Sequence, residues 1–161
     1  MIEIKNVTKK FDNFVAIEDI SFNVEPTSIY GLIGYNGAGK TTLLKTVAGI
    51  YRADGGEVLL DGQRSFDNDD NRKDLFYIPD DLYFPLNSTP LSMAKFYADY
   101  YPNFHMKTFE NLIEVFGLDK KKRIRGFSKG MQRQTEIILG LASNPKYLLL
   151  DETFDGLDPQ K

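Results

Sequence analysis

The sequence predicts an α/β fold, and three observations predict it. An apolar run, Ser28-Ile29-Tyr30-Gly31-Leu32-Ile33, leads into the glycine-rich stretch Gly34-Tyr35-Asn36-Gly37-Ala38-Gly39-Lys40-Thr41-Thr42, which opens a helical pattern. A second apolar run, Lys146-Tyr147-Leu148-Leu149-Leu150, ends in the carboxylate pair Asp151-Glu152. A continuous apolar run suits a buried parallel strand, and open α/β sheets bind ligands at the carboxyl ends of such strands. Between Leu91 and Gly117 the spacing becomes helical, which marks a helical insert.

The glycine-rich stretch matches G-x-x-x-x-G-K-S/T, and each part has a physical task. Glycines let the backbone N–H groups of Gly34, Asn36, Gly37, Ala38 and Gly39 turn inward on α and β phosphates. The helix start adds the N–H groups of Lys40, Thr41 and Thr42 and the positive end of its dipole. Lys40 then meets the β and γ phosphates, and Thr41 offers a hydroxyl to Mg²⁺. A pattern this short also arises by accident. Here its flanks fit: the run before it reads as a buried strand, and after it Thr42-Leu43-Leu44-Lys45-Thr46-Val47-Ala48 has helical spacing and stops at Gly49. A glycine-rich turn that binds nothing would not need the Lys-Thr pair.

At 161 residues the chain is one domain with room for a small second lobe. Its 42% hydrophobic and 27% charged residues are those of an ordinary globular chain. No apolar run approaches the roughly 20 residues of a membrane-spanning helix, and Met1-Ile2-Glu3-Ile4-Lys5 does not read as a signal peptide. A cytoplasmic setting is expected, with any membrane association made through a protein partner. The absence of cysteine excludes disulfides and thiolate metal sites. A net charge of −3 offers no general attraction to nucleic acid, so none is expected as a partner.

Taken in order, Ile2 to Val7 and Val15 to Val24 alternate apolar and polar residues around a turn at Phe11-Asp12-Asn13. They read as an antiparallel hairpin with one wet face. Gly55-Gly56 breaks the chain, and Glu57-Val58-Leu59-Leu60 returns as a strand ending at the Asp61-Gly62 turn. Ser65 to Asp74 is polar and acidic and reads as a loop, after which Leu75-Phe76-Tyr77-Ile78 forms another strand halted by Pro79-Asp80-Asp81. In the insert, Met93, Phe96, Tyr97 and Tyr100 share one face and Phe109, Leu112, Ile113 and Phe116 another, with Pro102 between the two helices. These stripes read as core packing. Lys120-Lys121-Lys122-Arg123-Ile124-Arg125 reads as a solvated cationic turn. Ser128 stands before a helix running from Lys129 to about Ser143, with Ile137, Ile138 and Leu141 toward a core and Asn144-Pro145 as the stop.

The Asp151-Glu152 pair completes the chemistry. Asp151 would hold Mg²⁺ through water, and Glu152 would orient or deprotonate an attacking water.

With Phe127-Ser128-Lys129-Gly130-Met131-Gln132 placed shortly before the Asp-Glu strand, as a variant of an L-S-G-G-Q signature, the chain resembles the ATP-binding cassette (ABC) family from its first residues to its last. The resemblance implies a P-loop NTPase fold with a mixed central sheet, an antiparallel β subdomain and a helical insert. It divides the chain into residues 1–79 (β subdomain and first part of the core), 80–127 (a Q-loop-like turn and the insert) and 128–161 (signature helix, catalytic strand and following loop). It also implies a dimer: the cassettes pack head to tail, and Ser128 with the Gly130 backbone would meet the γ phosphate of ATP bound to Lys40 of a second copy. Phe11 takes the position of the aromatic that stacks on adenine. Phe154-Asp155-Gly156-Leu157-Asp158 resembles the loop in which Asp158 would link the two sites.

Four departures stand out. Lys129 and Met131 replace the signature's usual Gly and Gln. Asp80 stands where a glutamine usually senses Mg²⁺ and the transport partner, as a carboxylate that can serve a cation. Thr153 and Thr27 replace a common proline and a common glycine. The family continues past the Asp158 loop with a helix, a sheet strand and a histidine on the γ phosphate, whereas this sequence reaches Lys161, and His105, in the insert, reads as a surface residue. The strand in question lies between the phosphate-loop strand and the Asp151 strand in the family. The 161 residues are therefore expected to be a fragment, unstable alone and weak or inactive in hydrolysis. Ile78-Pro79-Asp80-Asp81 and the Ser-Lys-Gly-Met signature resemble the YtrB-like, drug-efflux-related bacterial branch.

The resemblance implies the ATPase subunit of a transporter, with ATP and Mg²⁺ as cofactors, a transmembrane permease subunit and a second ATPase subunit, identical or not, as partners, and a place at the inner face of the cell membrane. A soluble ABC ATPase of translation or DNA repair and a nucleotide-binding module without turnover remain alternatives. The short insert without a coiled-coil arm and the acidic balance weigh against the first. Under all three, Lys40→Ala is expected to abolish nucleotide binding, measured by titration with a fluorescent nucleotide.

Overall fold

The computed structural model describes residues 1–152, and the chain divides into two compact units, Met1–Arg72 and Lys73–Lys161, the second described as far as Glu152. In the first unit β1 (Ile2–Phe11) and β2 (Phe14–Val24) form the expected hairpin around Asp12 and Asn13. β3 (Gly55–Leu60) pairs antiparallel with the other edge of β1, and a two-residue β4 (Gln63–Arg64) follows, so the sheet order is β2-β1-β3-β4. Asp61 and Gly62 both have positive φ, 51° and 78°, as a two-residue type I′ hairpin turn requires. The period-2 pattern turns Ile2, Ile4, Val58 and Leu60 inward, in register across β1 and β3.

Helix α1 (Lys40–Val47) buries Leu43 and Val47, four residues apart. It ends as the sequence suggests: Gly49 takes a left-handed φ of 70°, its N–H reaches the Thr46 carbonyl, and the N–H of Ile50 reaches Lys45. Those two bonds are the Schellman pattern that satisfies the last carbonyls of a helix.

Two expectations in this stretch of chain fail. Ser28 to Ile33 forms no strand, and Ile29 and Ile33 are fully exposed. A strand exists through hydrogen bonds to a neighbour, and among the described residues none pairs with this run. Tyr30 instead stacks on Phe22 of β2, ring centroids 5.0 Å apart. The expected loop at Ser65 to Asp74 contains a helix, α2 (Asp69–Asp74). Asn68 starts it, its side chain accepting from the N–H groups of Asp70 and Asn71, and Asp69 and Asp70 suit the positive end of the first turn.

In the second unit β5 (Leu75–Ile78) and β6 (Tyr147–Leu150) form a parallel pair in register from Leu75↔Tyr147 to Ile78↔Leu150. Among its described residues the unit also holds the α-helices α3 (Pro90–Tyr100), α4 (Met106–Val115) and α5 (Lys129–Ala142) and a short 3-10 turn at Ile124–Gly126. Thr89 and Ser92 close a capping box on α3, with Pro90 in the first turn, where its missing N–H costs nothing. His105 is exposed, as expected, at the N-cap of α4. The core gathers Phe76, Ile78, Met93, Phe109, Ile138 and Leu139.

The α4 stripe of Phe109, Leu112, Ile113 and Phe116 faces the core as read, whereas those of α3 and α5 are rotated. Phe96 and Tyr100 are exposed, and the buried line on α3 runs from Met93 through the partly buried Tyr97 to Tyr101. On α5, Leu141 is exposed, Ile137 is only partly buried, and Thr135, Ile138, Leu139 and Ala142 face inward. An aromatic-rich helix offers two plausible faces, and packing against β5 selects one.

That packing is close. A Cβ on Gly140 of α5 would lie 3.2 Å from the Phe76 ring and 3.3 Å from Ile78 Cδ1. Gly140→Val is therefore expected to overpack the α5–β5 contact and lower unfolding stability by about 1–3 kcal/mol, read from urea denaturation.

Candidate functional site

The phosphate-loop residues lie in the first unit. Residues 34–39 run without regular structure into α1, with Ala38 N–H bonded to the Tyr35 carbonyl at 3.1 Å. Gly37 and Gly39 sit at φ 86° and 87°, where an L side chain is strained. Gly39 meets a second constraint: a Cβ there would stand 2.5 Å from Ile17 Cγ2 and 2.6 Å from the Ala16 carbonyl oxygen of β2. The loop is thus seated on the hairpin at the point where it becomes helix.

The Leu43 N–H bonds the Gly39 carbonyl at 2.8 Å, and the amides of Lys40, Thr41 and Thr42 precede it at the N-terminal end of α1. No acidic residue in the first turn offsets the positive dipole end. Lys40 folds back across the loop, its Nζ donating to the carbonyls of Gly34 at 2.9 Å and Tyr35 at 3.1 Å. Left-handed glycines, helix-start amides and an ammonium group over one loop fit a polyphosphate.

Phe11 ends β1 and is 40% exposed. It meets Tyr51 edge-on at 5.3 Å and carries Lys9 Nζ 5.4 Å from its centroid. Tyr51 in turn lies 5.7 Å from Lys45 Nζ of α1. The aromatic therefore belongs to the same side of the first unit as α1, with part of its surface open for stacking.

The second unit carries the other candidates. Asp151, 1% exposed, follows β6, its N–H bonded to the Ile78 carbonyl at 3.0 Å and its Oδ2 accepting from the Tyr77 hydroxyl at 2.9 Å. Glu152 is exposed, at a left-handed φ of 46°. Asp151 and Glu152 thus diverge: one carboxylate is buried against Tyr77 and the other is presented outward. Ser128 caps α5 by accepting from Met131 N–H at 3.2 Å, and Gly130 lies in the first turn. Phe154 to Asp158 and Thr153 lie outside the described residues.

Asp80 has a partner that sequence reading missed. Arg133 of α5, 8% exposed, donates from Nη1 to the Pro79 carbonyl at 2.6 Å and from Nη2 to the Asp80 carbonyl at 2.5 Å and to Asp80 Oδ1 at 3.3 Å. Tyr77, the partner of Asp151, was missed as well. Both carried a signal: a hydroxyl inside an apolar strand and a cation on a helix stripe must find partners once buried.

One turn beyond Arg133, Glu136 is buried and accepts from the Tyr97 hydroxyl at 3.3 Å. Burial pushes its carboxyl up to about 7, against the Tyr97 hydrogen bond and the Arg133 charge, which pull it down. The phenols of Tyr97 and Tyr101 are raised too, chiefly by burial.

A family profile described as ABC transporter matches residues 17–155. The chain belongs to that family, with its mixed α/β fold and antiparallel β subdomain. It is 31% identical over 158 residues to the ABC transporter ATP-binding protein YtrB of Bacillus subtilis, covering 98% of this chain and 54% of that protein. It is 32% identical to the lipopolysaccharide export system ATP-binding protein LptB of Haemophilus influenzae, covering 99% of this chain and 70% of that protein. A solved ATP-binding subunit of an ABC transporter superposes with a TM-score of 0.90 at 27% identity, over 98% of this chain and 68% of the other. The chain thus spans about half the length of the YtrB relative.

Glu136 generates a pH dependence. Its folded carboxyl binds a proton more tightly than the unfolded one, so its contribution to stability falls as pH rises from the ordinary 4.5 through about 7. Glu136→Gln is expected to flatten that part of the profile: the two proteins melt alike near pH 4.5, and the variant is more stable at pH 8, by at most about 3 kcal/mol. Thermal melts across this range check it.

Proposed function

We propose that this chain is the nucleotide-binding core of an ATP-hydrolysing subunit that energises an ABC transporter. The observation that carries the reading is the loop of residues 34–42, where Gly37 and Gly39 are left-handed and Lys40 Nζ lies over the carbonyls that precede the helix. Lys40 and the α1 amides bind the β and γ phosphates of ATP, and Phe11 stacks on adenine. Thr41 and Asp151 would hold Mg²⁺, whose charge would offset that developing on the phosphates; Asp80, read from the sequence as a further ligand, instead pairs its carboxylate with Arg133. Few protein ligands suit Mg²⁺, which keeps waters and phosphate oxygens in its shell. Glu152, turned outward after the buried Asp151, positions the attacking water and accepts its proton.

Ser128 and the Gly130 amide, at the start of α5, close on the γ phosphate held by a second copy. ATP is then part of the interface between copies, so its binding stabilises the closed pair and its hydrolysis releases it. A solved homologue of the same fold, MJ0796, is described as dimeric, which supports the pairing. Among the described residues no helix is long and apolar enough to cross a membrane. The partner of the reading is a transmembrane permease subunit, which supplies the channel and holds the ATPase at the membrane's inner face. The relatives include proteins named for lipopolysaccharide export and for methionine import, so the cassette does not carry the identity or direction of the cargo.

Glu152→Gln in the full-length protein is expected to lower kcat by about 10²–10⁴-fold while ATP affinity changes by no more than a few-fold. Steady-state phosphate release and nucleotide titration check it. Turnover unchanged by the substitution would overturn the assignment of Glu152 as base.

A further inference from the structure

Arg133 does more than satisfy itself inside the second unit. Its guanidinium reaches from the second turn of α5, five residues after Ser128, to the Pro79 and Asp80 carbonyls and to Asp80 Oδ1. That turn directly follows β5, whose last residue, Ile78, accepts from the Asp151 N–H at 3.0 Å. A continuous hydrogen-bonded route therefore runs from Asp151 through the end of β5 and the Pro79–Asp80 turn to Arg133, and along α5 to Ser128. Every link lies within one unit.

The chemistry of the link is specific. A guanidinium is a planar fork that reaches its acceptors from two nitrogens at fixed spacing, a geometry that the single nitrogen of an ammonium does not reproduce. Two of its contacts are to backbone, so the turn is held in place whatever its side chains do. The third pairs the charge of Arg133 with the carboxylate that stands at the Q-loop-like position. Three residues on, Glu136 bonds α3 through Tyr97, so α5 is anchored on both sides of this stretch and Arg133 has a rigid base. Taking a cation out of water costs several kcal/mol unless it is well paired, which makes three acceptors on one turn a costly way to add mere stability.

We propose that Arg133 is a positioning residue for the ATP reaction: it locks the Pro79–Asp80 turn to the helix that begins at Ser128, so that the carboxyl ends of β5 and β6 and the signature end of α5 move as one body. The inference rests on the transporter-ATPase reading above. Nucleotide binding belongs to the loop of the first unit, so loss of Arg133 acts on the chemical step and on closure and leaves capture of ATP intact.

The test uses Arg133→Gln, Arg133→Lys, Asp80→Asn and the double variant Asp80→Asn/Arg133→Gln in the full-length protein. Arg133→Gln is expected to lower kcat about 10-fold or more with the KM for ATP within about threefold. Arg133→Lys recovers only part of that loss, because one ammonium nitrogen replaces the two that reach Pro79 and Asp80. Asp80→Asn costs less than Arg133→Gln, since both backbone contacts remain, and the double variant is no worse than Arg133→Gln alone, the mark of a shared interaction. Amide hydrogen exchange gives a readout independent of turnover: in Arg133→Gln, amides at 80–82 and at 129–132 lose protection together.

Wild-type kcat in Arg133→Gln, a rise in KM without a fall in kcat, additive losses in the double variant, or lost protection confined to one of the two segments would each overturn the proposal. If Arg133→Gln does not fold, full wild-type kcat in Arg133→Lys overturns it equally. A wild-type protein that hydrolyses no ATP would instead defeat the functional reading, and the exchange experiment would still decide whether Arg133 ties the two segments.

Discussion

The first turn of a helix leaves backbone N–H groups that no helical carbonyl can reach, and the nucleotide-facing half of this protein depends on where those groups point. Gly37 and Gly39 adopt the left-handed backbone that turns the loop onto α1, and Gly39 also lies too close to Ala16 and Ile17 of β2 to carry a side chain. The hairpin is therefore more than a neighbour. It is the surface that sets the approach of the loop, while burial of Leu43 and Val47 holds the helix behind it. Lys40 adds a full charge to the partial charges of the amides.

The second unit follows a different logic, because its functional groups stand at the edge of an apolar core. β5 and β6 are nearly continuous hydrophobic runs, and Phe76, Phe109 and Ile138 are fully buried beneath the helices. Three polar groups enter that core with partners: Tyr77 with Asp151, Tyr97 with Glu136, Arg133 with the Pro79–Asp80 turn. A half-satisfied network would cost more than an apolar one, so these pairs bind elements to one another as well as to solvent-facing chemistry. Helix α5 is the common member. Ser128 caps its start, Arg133 and Glu136 fasten its middle, and Gly140 lets its end lie against Phe76.

Much of this was legible in one dimension. The hairpin, β3, β5, β6 and the three longer helices appeared as periods of two, continuous apolar runs or helical spacing, and their ends as glycine, proline or a capping residue. The Schellman stop at Gly49 and the Ser128 cap occur where single residues announced them. The strand expected at Ser28 to Ile33 shows the limit of such reading. Its composition suits a buried strand, but pairing is a property of two segments, and none of the described strands lies alongside it. The helix at Asp69–Asp74 was hidden for the opposite reason: nothing apolar marks it, and the Asn68 side chain organises it locally.

The sequence by itself marked the candidates for handling a triphosphate, since glycine suits the loop's left-handed backbone and Lys40, Thr41, Asp151 and Glu152 stand at the spacings of the motifs. It also determined family membership, because three motifs in order are far more specific than any one. Tertiary structure alone decided which faces of α3 and α5 turn inward, as Phe96 and Leu141 lie out while Tyr101 and Ala142 lie in. It alone supplied the partners of Asp80 and Asp151. Spacing along a chain records period and residue chemistry, whereas a hydrogen bond between residues 53 or 74 positions apart depends on how separate elements pack.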